Sequence, residues 1–283
     1  MKLAIITDST SDLSAEELQR LQVQAVPLHV NFKGKTWQDW LEISPGDIIA
    51  GVKAGADLPS TSQPSPAEFA AAYAKAVEAG AEEILVITIS SKISGTFQSA
   101  NIAAEDAGVP VTVFDSIAAS LGHGSMVRTA TRMRGAGASL EEILVAIGKI
   151  RDTNFVVFTV GTLEFLQKNG RIGRASAFLG GLLSVKPLLT LDNGVVGPLT
   201  RARGMKKAQQ EMVNRFKEYV AGQPGPVVLH VIHVQDPEAA QGLREAIDAA
   251  GIDYEFGGYH EIGAVIASHV GPNTFGYYTH LAV

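Results

Sequence analysis

Hydroxyl-rich segments are the parts of this chain whose residue types are best suited to binding chemistry. In Ser90–Thr96, three serines, a glycine and a threonine follow the apolar run Ile84–Ile89. In Pro59–Pro66 (PSTSQPSP), three prolines restrict the backbone around Thr61. Hydroxyls and the free N–H groups of a helix start are donors that bind carboxylates and phosphates, but they do no covalent chemistry without help. We therefore predict that the two segments form an anion-binding cradle.

Helix capping is the alternative role for these hydroxyls. Serine and threonine are common N-caps, and capping accounts for Ser14 and Ser65, each of which has a glutamate three residues later. Thr61 and Ser94 instead have further hydroxyl residues beside them. This clustering favours a binding role for Thr61 and Ser94.

A hydrolase triad of Ser94, His269 and Asp115 is one catalytic arrangement that the residue types allow. However, the chain contains no GxSxG nucleophile elbow, no GxxxxGK[ST] phosphate loop and no GxGxxG after its first strand. Asp115 and Ser116 with His123 form a second polar cluster, but an aspartate at a strand end commonly caps the next helix. We predict no catalytic residue, and we keep a small-molecule hydrolase or kinase built on the cradle as the alternative.

Metal and redox sites are not expected. Because the chain has no cysteine, it has no disulfide, no thiolate nucleophile and no cysteine-ligated metal. His230 and His233 lie three residues apart in a predicted strand, so their side chains point to opposite faces. We therefore predict no metal ligands and no intrinsic cofactor.

The composition predicts a soluble protein with a sizeable core. Of 283 residues, 46% are hydrophobic and 18% are charged. No run reaches about 18 consecutive apolar residues, and the start shows no charged-then-apolar leader, so we expect a cytoplasmic protein without a membrane span. The net charge of −6 argues against nucleic acid binding.

The elements that would position the cradle alternate between strands and capped helices in the first half. Ser14, Ser44, Ser65 and Ser139 mark helix starts, and Ser44 and Ser65 precede a proline at the first helical position. This alternation predicts a parallel sheet covered on both faces, with ligands bound outside the carboxyl ends of its strands. The predicted strands are Leu3–Thr7, Val26–Phe32, Ile84–Ile89 and Val111–Asp115, and the loops at that edge are Asp8–Ser11, Ser60–Ser65, Ser90–Thr96 and Asp115–Gly124.

The second half has a different pattern. Asp192-Asn193-Gly194 predicts a hairpin turn between the strands Val185–Leu191 and Val195–Thr200. The chain also has scattered strands and helices beyond this hairpin, which indicates α+β with a mixed or antiparallel sheet. We predict an α/β fold in two domains, an α/β domain at residues 1–153 and an α+β domain at residues 154–283.

Seven short blocks, in order along the chain, carry a resemblance to a known family. The chain resembles the DegV family, the fatty-acid-binding subunits of bacterial fatty acid kinases, over essentially its whole length. The blocks are TDSTSDL at Thr7–Leu13, TSQPSP at Thr61–Pro66, SSKISGTFQSA at Ser90–Ala100, NGRIGRA at Asn169–Ala175, VKPLL at Val185–Leu189, RARGMKKA at Arg201–Ala208 and SHVGPN at Ser268–Asn273.

The resemblance implies a carrier rather than an enzyme. It implies an α/β domain followed by an α+β domain, with a long-chain fatty acid (palmitate-, stearate- or oleate-like) held between them. The implied partners are an ATP-dependent fatty acid kinase, to which the carboxylate is presented, and a downstream acyltransferase that feeds the acyl phosphate into phospholipid synthesis. Transient contact with a membrane surface is also implied.

The resemblance also implies roles for individual residues. Thr61, Ser94 and His269 would bind the fatty acid carboxylate, and Arg171 would lie at the mouth and serve the partner and the phosphoryl group. The supporting residues of the cradle would be Ser62, Gly95 and Thr96. A buried carboxylate requires hydrogen bonds in exchange for lost hydration, and hydroxyls with an imidazole would supply them. A satisfied core histidine is the alternative for His269.

An acyl chain needs an apolar wall, for which the best candidate segment is Ala177–Leu189 (AFLGGLLSVKPLL). Each buried methylene would contribute about 0.8 kcal/mol. Ordinary core packing is the alternative for any single residue. The predicted wall residues are Phe165, Leu166, Phe178, Leu182, Leu183, Ile262 and Ile266.

A basic stretch runs from Lys168 to Lys207, with eight basic residues and one acidic residue, Asp192. A net charge of +7 within an acidic chain predicts a docking surface or a phosphate-handling rim. A solvated basic face is the alternative. Nucleic acid is disfavoured because the stretch has too few aromatic residues for base stacking.

Overall fold

The computed structural model describes residues 2–180 and 185–283. Buried residues, mainly β-branched and aliphatic, form several of its strands, as at Leu3–Asp8 and Glu83–Thr88, where the last four and the last five residues, respectively, are buried. The strands are β1 (Leu3–Asp8), β2 (Val23–Val26), β3 (His29–Phe32), β4 (Lys35–Gln38), β5 (Ser60–Ser62), β6 (Glu83–Thr88), β7 (Val111–Asp115), β8 (Phe155–Thr159), β9 (Val185–Asp192), β10 (Val195–Arg203), β11 (Val227–His233), β12 (Glu255–Glu261) and β13 (Phe275–Leu281).

Capping residues mark several of the helix starts. Capping boxes form at Ser44, Ser65 and Ser139, as predicted. The helices are α1 (Ala15–Leu21), α2 (Pro45–Lys53), α3 (Pro66–Glu78), α4 (Thr96–Ala104), α5 (Leu121–Gly135), α6 (Leu140–Thr153), α7 (Glu164–Lys168), α8 (Met205–Ala221), α9 (Pro237–Ala249) and α10 (Ala264–Val270), with 3₁₀ turns at Ser9–Ser11 and Gly173–Phe178.

The first half folds around a parallel sheet with the strand order β2-β1-β6-β7. Helices α3 and α4 cover one face, where Phe69 and Tyr73 pack with Ile6 and Val86. Helix α5 contacts β1 and β6 and packs against α6. The predicted α/β domain is confirmed.

The second half folds around a six-stranded mixed sheet with the order β10-β9-β8-β13-β11-β12. Only the β11–β12 pair is parallel among the pairs described; the others are antiparallel. Helices α8 and α9 pack on one face. Residues Val156, Phe158, Ile232 and Tyr278 join a core cluster that includes Ile5 and other residues of the first half. The mixed sheet is confirmed, and the division at residues 153 and 154 stays a prediction.

The predicted strand Val26–Phe32 is wrong, because it is two strands in different sheets. Strand β2 pairs with β1, whereas β3 pairs with β4 and β5 in a three-stranded antiparallel sheet that the sequence did not indicate. Pro27, which lacks an N–H donor, lies between the two strands. The small sheet matters because β5 carries Thr61.

Two helices, α5 and α10, were also missed. The predicted loop Asp115–Gly124 is wrong at its end, since α5 begins at Leu121. Packing explains why a glycine occurs inside α5, because a Cβ on Gly122 would lie 2.0 Å from the Tyr278 ring.

The capping box predicted at Ser14 forms only in part. The Ser14 hydroxyl accepts the N–H of Glu17, but the Glu17 carboxylate pairs with Arg128 at 2.7 Å instead of returning to the cap. Among the residues described, no helix has the length and apolarity needed to cross a bilayer.

Candidate ligand-binding cavity

A cavity of about 330 Å³ lies between the mixed sheet, α10 and the loops that follow the first-half strands. Its lining is mainly aliphatic, and its polar residues come from several separate elements. The apolar lining is Leu28, Ile89, Ile93, Ala119, Val156, Phe158, Leu166, Leu191, Val196, Ile232, Ile262, Val265, Ile266 and Val270, and the other lining residues are Thr61, Ser62, Gln63, Ser94, Ser120, Arg171, His269, Thr274 and Tyr278.

Thr61 and His269 are joined directly at the cavity wall. The Thr61 hydroxyl lies 2.7 Å from Nε2 of His269, and Nδ1 of His269 is buried without a partner among the described residues. Strand pairing with Val30 fixes the Thr61 backbone. The hydroxyl and the neutral ring carry one donor proton each, and their mutual bond uses one of the two. With the ring proton on Nε2, the ring donates to Thr61 and the Thr61 O–H stays free for a ligand; with it on Nδ1, Thr61 donates to Nε2 and the remaining donor is the buried Nδ1–H.

Burial sets the charge of His269. It lowers the pKa of His269 to about 4, with the nearby Arg171 guanidinium as a second cause. The imidazole is therefore neutral near pH 7, so a ligand anion would meet a hydrogen-bond donor there rather than a fixed positive charge.

Ser94 faces the same cavity from the loop before α4. Its hydroxyl lies 2.8 Å from that of Thr96, which is fully buried and supports Ser94 without lining the cavity in the described structure. Gly95 is required by packing, since a Cβ there would lie 2.3 Å from the Gln63 side chain. Gln63 lines the cavity and was missed, although it lies in the segment predicted to form the cradle.

Arg171 lines both the cavity and an adjoining groove of about 290 Å³ that also includes Lys92 and Gly95. Its side chain is held by two backbone carbonyls, since Nε donates to Ile93 at 3.1 Å and Nη1 to Asn169 at 3.0 Å. The structure thus places Arg171 beside Ser94, at the exposed end of the cavity.

The predicted wall residues do not all lie at the cavity. Leu166, Ile262 and Ile266 line it, and Ser62 does so at the polar end. Leu182 and Leu183 lie outside the described residues.

Phe165 packs against Gly271, where a Cβ would lie 2.7 Å from the ring, and Phe178 lies under the Arg201 guanidinium at 4.3 Å. No described residue of the segment 177–189 lines the cavity. The wall instead comes from strands of the mixed sheet and from α10, which local hydrophobicity does not distinguish from ordinary core.

The hydrolase triad considered from the sequence is not assembled. Ser94 bonds to Thr96, His269 bonds to Thr61, and Asp115 accepts the N–H groups of Ser91 and Ile117. The second polar cluster, Asp115 and Ser116 with His123, is not joined through His123 by hydrogen bonds either. Nε2 of His123 instead lies 2.8 Å from the Thr7 hydroxyl and from the Ile87 carbonyl.

His230 has histidine neighbours other than His233. Nδ1 of His230 lies 3.2 Å from Nε2 of His260, and its ring stacks on His280. Within residues 2–180 and 185–283, no group of three or more histidine or acidic side chains has a geometry that could hold a metal ion.

Comparison with known proteins gives matches over the whole chain. A family model described as "Uncharacterised protein, DegV family" matches residues 2–280. A DegV domain-containing protein of Deinococcus radiodurans is 44% identical over 98% of this chain and 97% of its own. A protein of Thermotoga maritima named "Fatty acid-binding protein" is 32% identical over 98% of this chain and 97% of its own.

A solved structure agrees with the fold over its full length. That structure, "Fatty Acid Binding of a DegV family Protein from Thermus thermophilus", has a TM-score of 0.95 and 45% identity and covers 100% of both chains. The matching model, the matching relatives and this structure all extend across both halves of the chain. The chain therefore belongs to the DegV family.

Proposed function

We propose that this protein binds a long-chain fatty acid, buries its acyl chain and presents the carboxylate to a separate ATP-dependent kinase. The observation that carries the proposal is the Thr61–His269 pair, with Ser94 nearby, on an otherwise apolar cavity. Relatives whose names or titles state fatty acid binding support it.

The cavity lining suits an amphipathic ligand. Aliphatic side chains such as Ile232 and Ile266 would take the methylenes, each contributing about 0.8 kcal/mol on burial. The free donor of the Thr61–His269 pair and the Ser94 hydroxyl would hydrogen-bond the carboxylate, which offsets its lost hydration. The ligand class is a palmitate-, stearate- or oleate-like acid.

Basic residues support the kinase half of the proposal. Arg171 lies at the exposed end of the cavity, where a carboxylate would meet the phosphoryl group. Arg201 and Arg203 are exposed on the edge strand β10, and Lys206 and Lys207 follow on the first turn of α8. This basic edge would attract an acidic face of the kinase. The acyl phosphate would then pass to an acyltransferase for phospholipid synthesis, all within the cytoplasm.

The first experiment is native mass spectrometry of the purified chain, followed by denaturing extraction. We expect a long-chain fatty acid that is lost from the double variant T61A/S94A and kept in S176A, a serine-to-alanine change at an exposed position. An empty chain that also takes up no added palmitate or oleate would overturn the proposal. Turnover of ester substrates or ATP by the chain alone would favour the hydrolase or kinase alternative.

A further inference from the structure

Two buried carboxylates from the first half of the chain bind the start of α10. Asp12 Oδ1 accepts the N–H of Gly263 at 3.1 Å, and Asp39 Oδ1 accepts the N–H of Val265 at 3.2 Å. The N-cap of α10 is Gly263, which has no side chain to cap the helix. The two carboxylates therefore supply the caps from positions 251 and 226 residues away in the sequence.

Each carboxylate is itself held in place. Asp12 accepts the Ser120 hydroxyl at 2.5 Å and Trp40 Nε1 at 3.3 Å, and Asp39 accepts the Ser9 hydroxyl at 2.8 Å. Asp12 is 5% exposed and Asp39 is 1% exposed. Buried carboxyl groups with several fixed donors have little freedom to follow a displaced helix, because each lost bond leaves a buried polar group unpaired.

The contact at Gly263 is tight. A Cβ at this position would lie 2.6 Å from Asp12 Oδ1 and 2.4 Å from Trp40 Nε1. Helix α10 has only seven residues, which is too short for stability by itself. Its position in the fold is therefore set by what binds its ends and its buried face.

The opposite end of α10 carries His269, one of the polar side chains of the cavity. Val265 and Ile266 line the apolar part of the cavity. His269 lies five residues after Ala264, the first residue of the helix, and bonds to Thr61. A shift of the helix start along its axis would move the His269 ring by a similar amount. A hydrogen bond of 2.7 Å does not survive a displacement of about 1 Å with good geometry.

We propose that Asp12 and Asp39 are positioning residues for carboxylate recognition: by fixing the start of α10, they set the place where His269 meets Thr61. The inference rests on the proposed function, since it concerns how the same site recognises a fatty acid. It assigns a role to two acidic side chains that do not line the cavity in the described structure.

The test is a double-mutant cycle with two ligands. Affinities for palmitate and for hexadecanol, which has the same chain and no carboxylate, are measured for the native protein, D39N, H269A and D39N/H269A. D39N places an amide N–H₂ where one of two accepting oxygens stood. We expect D39N and H269A each to weaken palmitate by about tenfold and hexadecanol far less, with the double variant no weaker than H269A. The matched control is D106N, at an exposed aspartate in the turn after α4.

The outcomes separate the two proposals. If H269A weakens palmitate and hexadecanol equally, the proposed carboxylate site fails. If H269A is selective but D39N weakens both ligands equally, or adds its full effect to H269A, the positioning role is wrong. Should D39N not fold, as judged by circular dichroism, S9A removes the hydroxyl that orients Asp39 and gives the same cycle, with a smaller selective loss expected.

Discussion

The Ser125 hydroxyl of α5 and Nε2 of His230 on β11 lie 3.2 Å apart, which joins a first-half helix to the mixed sheet through a buried imidazole. His260 and His280 adjoin the same ring, so three histidines lie together at this junction. Burial lowers the pKa of His230 well below its usual value, that of His260 to about 4, and that of His280 as well. The Arg128 guanidinium acts in the same direction on all three.

These shifts predict that acidification below about pH 6.5 destabilises the protein through its buried histidines. The unfolded chain binds protons at histidine near pH 6.5, whereas in the folded chain the pKa of His260 is about 4 and those of His230 and His280 are also lowered. The histidine contribution is therefore complete above pH 6.5 and is lost as the pH falls towards 4, by about 1.4 kcal/mol per pH unit for each fully shifted histidine. Urea unfolding at pH 7.5, 6.0 and 5.0 measures this slope.

Two buried aspartates, Asp12 and Asp39, oppose the histidines. Burial raises the pKa of Asp39 to about 6 and that of Asp12 well above its usual value, so the contribution of both to stability falls as the pH rises above about 4. Since the pKa values of five histidines (His230, His233, His260, His269 and His280) are lowered and those of two aspartates are raised, we expect a net loss on acidification. The variant H280Q should reduce the slope by the contribution of one histidine. A free energy of unfolding that is flat from pH 7.5 to 5.0 would contradict the prediction.

The close packing at Gly122 predicts that alanine substitutions at two glycines of α5 have different effects on stability. G122A would place a Cβ 2.0 Å from the Tyr278 ring, so overpacking should cost about 1–3 kcal/mol of the free energy of unfolding. G135A, at the last residue of α5 where nothing lies within 4 Å, is the control and should change the free energy of unfolding by less than about 0.5 kcal/mol. Urea unfolding of both variants measures the contrast, and equal effects would contradict it.

The position of Arg171 predicts that its substitution affects phosphorylation of the fatty acid more than binding of the fatty acid. Because its side chain is exposed and held by backbone carbonyls, R171A should weaken palmitate binding only a few-fold. Acyl phosphate formation with the partner kinase and ATP should fall at least about tenfold further, since the guanidinium would pair with the phosphoryl group. R20A, at an exposed arginine of α1, is the control. Parallel losses of binding and phosphorylation would place Arg171 in the binding site alone.

The fold class was predictable from the sequence because its signals are local. Ser44, Ser65 and Ser139 start helices through capping boxes within four residues, and Asn193-Gly194 takes the positive φ values that its hairpin turn needs. The two hydroxyl-rich segments that contribute lining residues to the cavity could be recognised for the same reason, since their hydroxyls and prolines cluster in short stretches.

Helix α10 was not predictable in this way. Its N-cap carboxylates are Asp12 and Asp39, which lie far away in sequence, and five of its seven residues are buried, so no apolar stripe of helical period marks it. The prediction of the cavity wall failed for a similar reason. Val156, Ile232 and other lining residues cannot be distinguished from core residues until the sheets are brought together. Helix α10 and the cavity wall are determined by tertiary contacts, and the residue pattern of a single segment carries no information about such contacts.

Strand β13 follows every other described strand in the chain, yet it lies inside the mixed sheet between β8 and β11. During synthesis, β8 and β11 therefore leave the ribosome without the strand that joins them, and the Tyr278 side of the cavity does not exist. The parallel sheet has all its strands by Asp115 and can fold earlier. The cavity is therefore complete only after β13 has been added to the mixed sheet, whereas the first-half sheet needs no strand from the second half.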